Sequence, residues 1–69
     1  MRHTRYTMKQ AERSLEQHNA RTGDTLQLYS AYERYKVVRV QANGGHLDVG
    51  RRGLRPTPRD AMNDAGVML

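Results

Sequence analysis

The sequence predicts a small α+β domain ordered α-β-β-β-α, in which a three-stranded antiparallel sheet is packed on one face by two helices. Three observations carry this reading. YTMKQAERSLEQHNA, residues 6–20, spaces its apolar side chains at the helical period. Residues 25–50 change to the alternation of half-buried strands, and TPRD, residues 57–60, has the residue order of a helix start.

The first helix opens on a capping box: Thr7 is the N-cap and Gln10, three residues on, returns the bond, while Tyr6 and Ala11 stand at the positions of a hydrophobic staple. Met8, Ala11, Leu15 and His18 fall at helical spacing, with Lys9, Arg13, Glu16 and Gln17 on other faces. The pattern runs for about three turns and stops before the RTGD turn at 21–24. Its narrow apolar stripe and mixed charges argue against a membrane-surface helix.

TLQLYSAY, residues 25–32, alternates Leu26 and Leu28 with Gln27 and Tyr29; YKVVRVQ, residues 35–41, is rich in β-formers. ANGG at 42–45 supplies an Asn-Gly pair for a hairpin turn, after which HLDVG sets Leu47 and Val49 on one face and His46 and Asp48 on the other. In the middle strand Val38 and Val40 share one face, Tyr35 and Val37 the other. The reading taken is Val38 and Val40 inward; a one-residue slip would exchange them for Val37.

Pro56 and Pro58 end any strand. Thr57 then fits the N-cap, Pro58 the first helical position and Asp60 the third, where a carboxylate meets the positive end of the helix. Ala61, Met62 and Ala65 form a packing face, Gly66 ends the helix, and the terminal VML tucks against the sheet. With Leu54 and the apolar residues of the helix and strands, these complete the expected core.

A chain of 69 residues without Phe or Trp builds only a modest core from Tyr, Leu, Val, Met and Ala, so its stability is marginal and homodimerisation is one way to bury more area. Residues 1–5 read as a flexible N-terminus and 6–69 as one domain. Cysteine is absent, which removes disulfides and thiolate chemistry. The N-terminus has no apolar h-region and no stretch approaches the roughly 20 apolar residues that span a bilayer, so no membrane partner and a cytoplasmic location are expected.

The formal charge is +5, and its distribution is uneven. Between residues 34 and 59 stand seven basic side chains, Arg34, Lys36, Arg39, Arg51, Arg52, Arg55 and Arg59, against one acidic, Asp48. The cap explains PTPRD but gives Arg51, Arg52 and Arg55 no task. A sheet that brings its second and third strands together would let Arg39 share a surface with Arg51 and Arg52. Arg34, Lys36, Arg39, Arg51, Arg52 and Arg55 are therefore the candidate partner-binding residues. Guanidinium groups hold phosphates through charge-assisted, often bidentate bonds, and they hold an acidic protein surface equally well. The patch thus reads as a nucleic-acid contact, a contact to an acidic protein, or a solvated face. Tyr29, Tyr32 and Tyr35 are the stacking candidates for a bound base, with core packing as their alternative task.

Catalytic readings find little support. His3, His18 and His46 lack the spacing of a metal motif, so no metal site is assigned. His46 and Asp48 form an i,i+2 pair on the solvent side of the hairpin, no nucleophile elbow is present, and NGG and GRRG lack the GxxxxGK[ST] pattern of a phosphate-binding loop. The expectation is a protein that is not an enzyme and needs no cofactor.

The order of helix, meander and the helix start TPRDA, residues 57–61, resembles the small arginine-rich accessory proteins encoded by bacterial viruses and prophages. That resemblance implies a protein that acts by binding a host or viral macromolecule, such as an inhibitor of a host enzyme or defence complex. Taken together, the expectation is a non-enzymatic basic binding module for nucleic acid or a nucleic-acid-associated complex. Its alternatives are an inhibitor or adaptor on an acidic host protein and a small structural or assembly homo-oligomer.

Overall fold

The computed structural model describes residues 7–67, which form α1 (Met8–Thr22), β1 (Leu26–Ala31), β2 (Arg34–Val40), β3 (His46–Asp48) and α2 (Pro58–Asp64). The fold class is the expected one: an antiparallel sheet in the order β1-β2-β3, packed by two helices. Residues 1–5, the Tyr6 half of the staple and the last two residues of VML lie outside the described residues.

Local chemistry sets both helix starts. At α1 the Thr7 N–H donates to Gln10 Oε1 at 2.9 Å and the Gln10 N–H donates to Thr7 Oγ1 at 3.3 Å, the reciprocal bonds of a capping box. At α2 the Asp60 N–H donates to Thr57 Oγ1 at 3.1 Å, with Pro58 following the cap. Thr57→Ala is expected to lower stability by about 1 kcal/mol by removing that acceptor, read as an earlier midpoint in urea unfolding with the slope unchanged. Gly66 closes α2 at φ 77°, and the Gly66 and Val67 N–H groups donate to the Asn63 and Met62 carbonyls. This Schellman arrangement turns Val67 into the core, where it is buried.

The hairpin between β1 and β2 turns on Tyr32 and Glu33 alone, both left-handed at φ 54° and 58°. Two positive φ angles match the twist of the strands, but in non-glycine residues each costs about 1–2 kcal/mol. Because neither Asn nor Gly marks the turn, the sequence places Tyr32 in the strand; the structure places it at the tip, 91% exposed.

That tip fixes the register and overturns the expected facing of β2. With Ala31 opposite Arg34, Leu28 falls opposite Val37 and Gln27 opposite Val38. Directly opposed residues share a face, so the side that carries Leu26 and Leu28 carries Val37 and Tyr35, and Val38 and Val40 turn to the other side. The core cluster is accordingly Ala11, Leu15, Leu26, Val37, Ala61, Met62 and Val67, with Leu28, Tyr35, Val49 and Ala65 packed at its margin. Val38 is also buried but does not belong to this cluster, and Val40 is half-buried. Leu47, expected in the core, is 49% exposed: it stands opposite Arg39 on the edge strand β3, whereas the helices pack on β1 and β2.

Candidate functional site

The arginine-rich segment is a loop pushed out of the sheet. Val38 pairs with Asp48 and the Val49 N–H donates to the Val37 carbonyl at 3.0 Å, so an unbroken ladder would bring Arg51 opposite Tyr35. Arg55 stands there instead, exchanging both backbone bonds with Tyr35 at 2.6 and 2.7 Å. The chain therefore loops out four extra residues, 55 minus 51, and Arg51 and Arg52 leave the sheet with them. Asp64, in the last turn of α2, holds the loop: its Oδ2 accepts the Arg52 N–H at 2.9 Å. The carboxylate lies so close to Gly50 that a Cβ there would overlap it. Only glycine at this position lets Asp64 reach across.

Between loop and helix lies a cleft of about 620 Å³ lined by Arg51, Arg52 and Arg55 on one side and Asp60, Asn63 and Asp64 on the other. Three guanidinium groups against two carboxylates leave it net positive. Even so, among the described residues Arg51, Arg52 and Arg55 form no ion pair. Arg34 forms none either, and it neighbours Tyr35, whose backbone bridges to Arg55. Arg34 and Arg55 thus stand at the β1–β2 turn end of the sheet, on opposite faces because Arg55 is paired with Tyr35, and Arg51 and Arg52 lie in the loop that leads to Arg55.

The remaining sequence candidates are elsewhere or otherwise engaged. Arg39 does not join Arg51 and Arg52. It lies four positions from Tyr35 along β2, about 13 Å at strand rise, and its Nε and Nη2 donate to Asp24 Oδ1 and Oδ2 at 2.8 and 2.9 Å. Lys36 is on the face away from the helices, 2.8 Å from Asp48 Oδ1 and 5.3 Å from the centre of the Tyr29 ring. Tyr29 is 42% exposed with that ammonium over its ring. Tyr35 faces the helices and packs against the core, so the stacking role expected of it gives way to packing. Sequence reasoning missed the acidic partners Asp24, Asp48 and Asp64; the one signal for Asp48 was its place opposite Val38, which puts it on the face of Lys36 only once the register is known.

The Arg39 bonds, helped by the Thr25 N–H, hold the Asp24 carboxyl below its ordinary 3.8, at about 2, and Asp24 in turn raises Arg39. The folded state therefore binds fewer protons at Asp24 than the unfolded chain does between these values. The resulting stabilisation is complete above pH about 4 and lost as pH falls to about 2. Asp24→Asn is expected to flatten the acid limb of stability in that window, measured by urea unfolding across pH.

His46 and Asp48 are both exposed and form no pair, Asp48 being bonded to Lys36. Among the described residues no group of three or more His, Cys, Asp or Glu is placed to hold a metal ion, and no helix is long and apolar enough to cross a membrane. No protein-family model, curated protein or solved structure matches the chain. Fold and site together define a small α+β protein with an arginine loop clamped to its C-terminal helix.

Proposed function

We propose that this chain is a non-enzymatic binding module whose loop 50–55, with Arg34 beside it, holds the phosphate backbone of a nucleic acid. The observation that supports this reading is the division among the six cations between residues 34 and 55. Lys36 and Arg39 are ion-paired, whereas Arg34 and Arg55 at the turn end of the sheet, and Arg51 and Arg52 in the loop that leads to it, form no ion pair among the described residues. Unpaired guanidinium groups keep all their donors for a ligand, and their spread over both faces of the sheet end suits a polyanion better than a single carboxylate.

Titration with short DNA and RNA, duplex and single-stranded, tests the reading at low and moderate salt. The logarithm of the affinity should fall linearly with the logarithm of the salt concentration as phosphate contacts release counterions. Absence of binding at low salt would overturn it in favour of an acidic protein surface.

A further inference from the structure

The sheet has two edges, and they differ. At β3 the edge is short, carries His46 and Asp48, and ends where Gly50 bends into the loop. At β1 the six residues LQLYSA include no charge, no proline and no bulge, the devices that normally guard an edge. Because the Val40 N–H bonds to the Thr25 carbonyl and Tyr35 bonds across to Arg55, the pairs Leu26–Arg39, Leu28–Val37 and Ser30–Tyr35 are the non-hydrogen-bonded ones. The backbone N–H and C=O of Leu26, Leu28 and Ser30 therefore point away from the sheet.

Leu26 is already served. Asn19 of α1 lays its side-chain amide along it, accepting from the Leu26 N–H and donating to the Leu26 carbonyl, both at 3.0 Å, as a neighbouring strand would. Leu28 and Ser30 have no such partner among the described residues. Beside them runs a groove of about 360 Å³ between α1 and β1, with Leu15, Leu26 and Leu28 at its base and Glu12 and Glu16 on its rim. Its lining includes two carboxylates and no cation, in a chain of net charge +5.

We infer that the β1 edge takes an extended basic polypeptide segment, which adds to the sheet beyond Asn19 by pairing with Leu28 and Ser30. Side chains of an added strand alternate, so every second one enters the groove. A lysine or arginine there lays its methylene stem over the leucines and brings its charge to Glu12 and Glu16. The same charges argue against a second copy of this chain: antiparallel pairing of β1 with its copy, about a two-fold axis normal to the sheet, would bring the two acidic rims together on one face. This surface is separate from the arginine loop and does not depend on the nucleic-acid reading.

The test uses the full chain and short synthetic peptides alternating valine with lysine, or valine with glutamate, followed by amide hydrogen exchange. The lysine peptide should slow exchange at Leu28 and Ser30, and the glutamate peptide should not. Glu12→Gln with Glu16→Gln should weaken the lysine peptide on the order of fivefold, the worth of two exposed ion pairs. Ser30→Pro removes an outward-facing N–H at an edge position that tolerates proline, so binding should be weakened while the circular dichroism is kept. Exchange at both amides unchanged by the lysine peptide would overturn the proposal, as would unweakened binding of that peptide by both variants. Protection that grows with protein concentration without peptide would overturn it in favour of self-pairing.

Discussion

Leu15→Ala is expected to cost about 2–5 kcal/mol, through reduced burial and the cavity left behind. A domain of this length has only about 3–10 kcal/mol of stability, so the variant should lose a large fraction of it. The size of the effect follows from position. Leu15 is 2% exposed in the cluster that joins Leu26, Val37, Ala61 and Met62, and so belongs to the contact between both helices and the sheet. Leu47→Ala is the matched control, since a side chain 49% exposed on the edge strand gives up much less. Urea unfolding followed by circular dichroism separates them; equal losses would mean that the helices do not pack where the structure puts them.

Arg51→Ala with Arg52→Ala is expected to leave the melting temperature almost unchanged and to weaken nucleic-acid binding strongly. Among the described residues neither side chain forms an ion pair, and the loop is anchored through the Arg52 backbone N–H, which alanine retains. Exposed charges of this kind contribute little to stability. Removing one phosphate-binding side chain should lower the salt slope by about one, so the pair should lower it by about two. Binding isotherms at several salt concentrations, beside thermal unfolding of the same variants, give both quantities. A double variant that unfolds but binds normally once folded would make the arginines structural, and unchanged stability with unchanged binding would make them a solvated surface.

The parts of this protein that depend on neighbouring residues are legible in its sequence. Thr7 and Gln10, Thr57 and Pro58, and the glycines that stop the helices act within a few residues, and each does what its type dictates. The facing of β2 is different. Val37 and Val38 are both valine and both buried, so hydrophobicity cannot choose between them; the choice is made by a two-residue turn built from Tyr32 and Glu33, residue types that do not announce a turn. The site divides in the same way. Sequence alone marks Arg51, Arg52 and Arg55 as surplus to the cap, but whether a cation is free depends on a carboxylate brought from elsewhere in the chain. Asp24 reaches Arg39 and Asp48 reaches Lys36 only through the fold.

The reach of Asp64 across Gly50 bears on conformational entropy. A loop of this composition, free in solution, would lose backbone freedom each time it closed on a ligand, and that loss would be subtracted from the affinity. Here the loop is fastened at Arg52 to the end of α2 and at Arg55 to β2, so its ordering accompanies the folding of the domain. The arginine side chains still move, but the backbone that presents them is set beforehand. Any change that frays the last turn of α2 therefore reaches the loop without touching an arginine, and the presentation of the loop's guanidinium groups depends on the integrity of a helix that none of them belongs to.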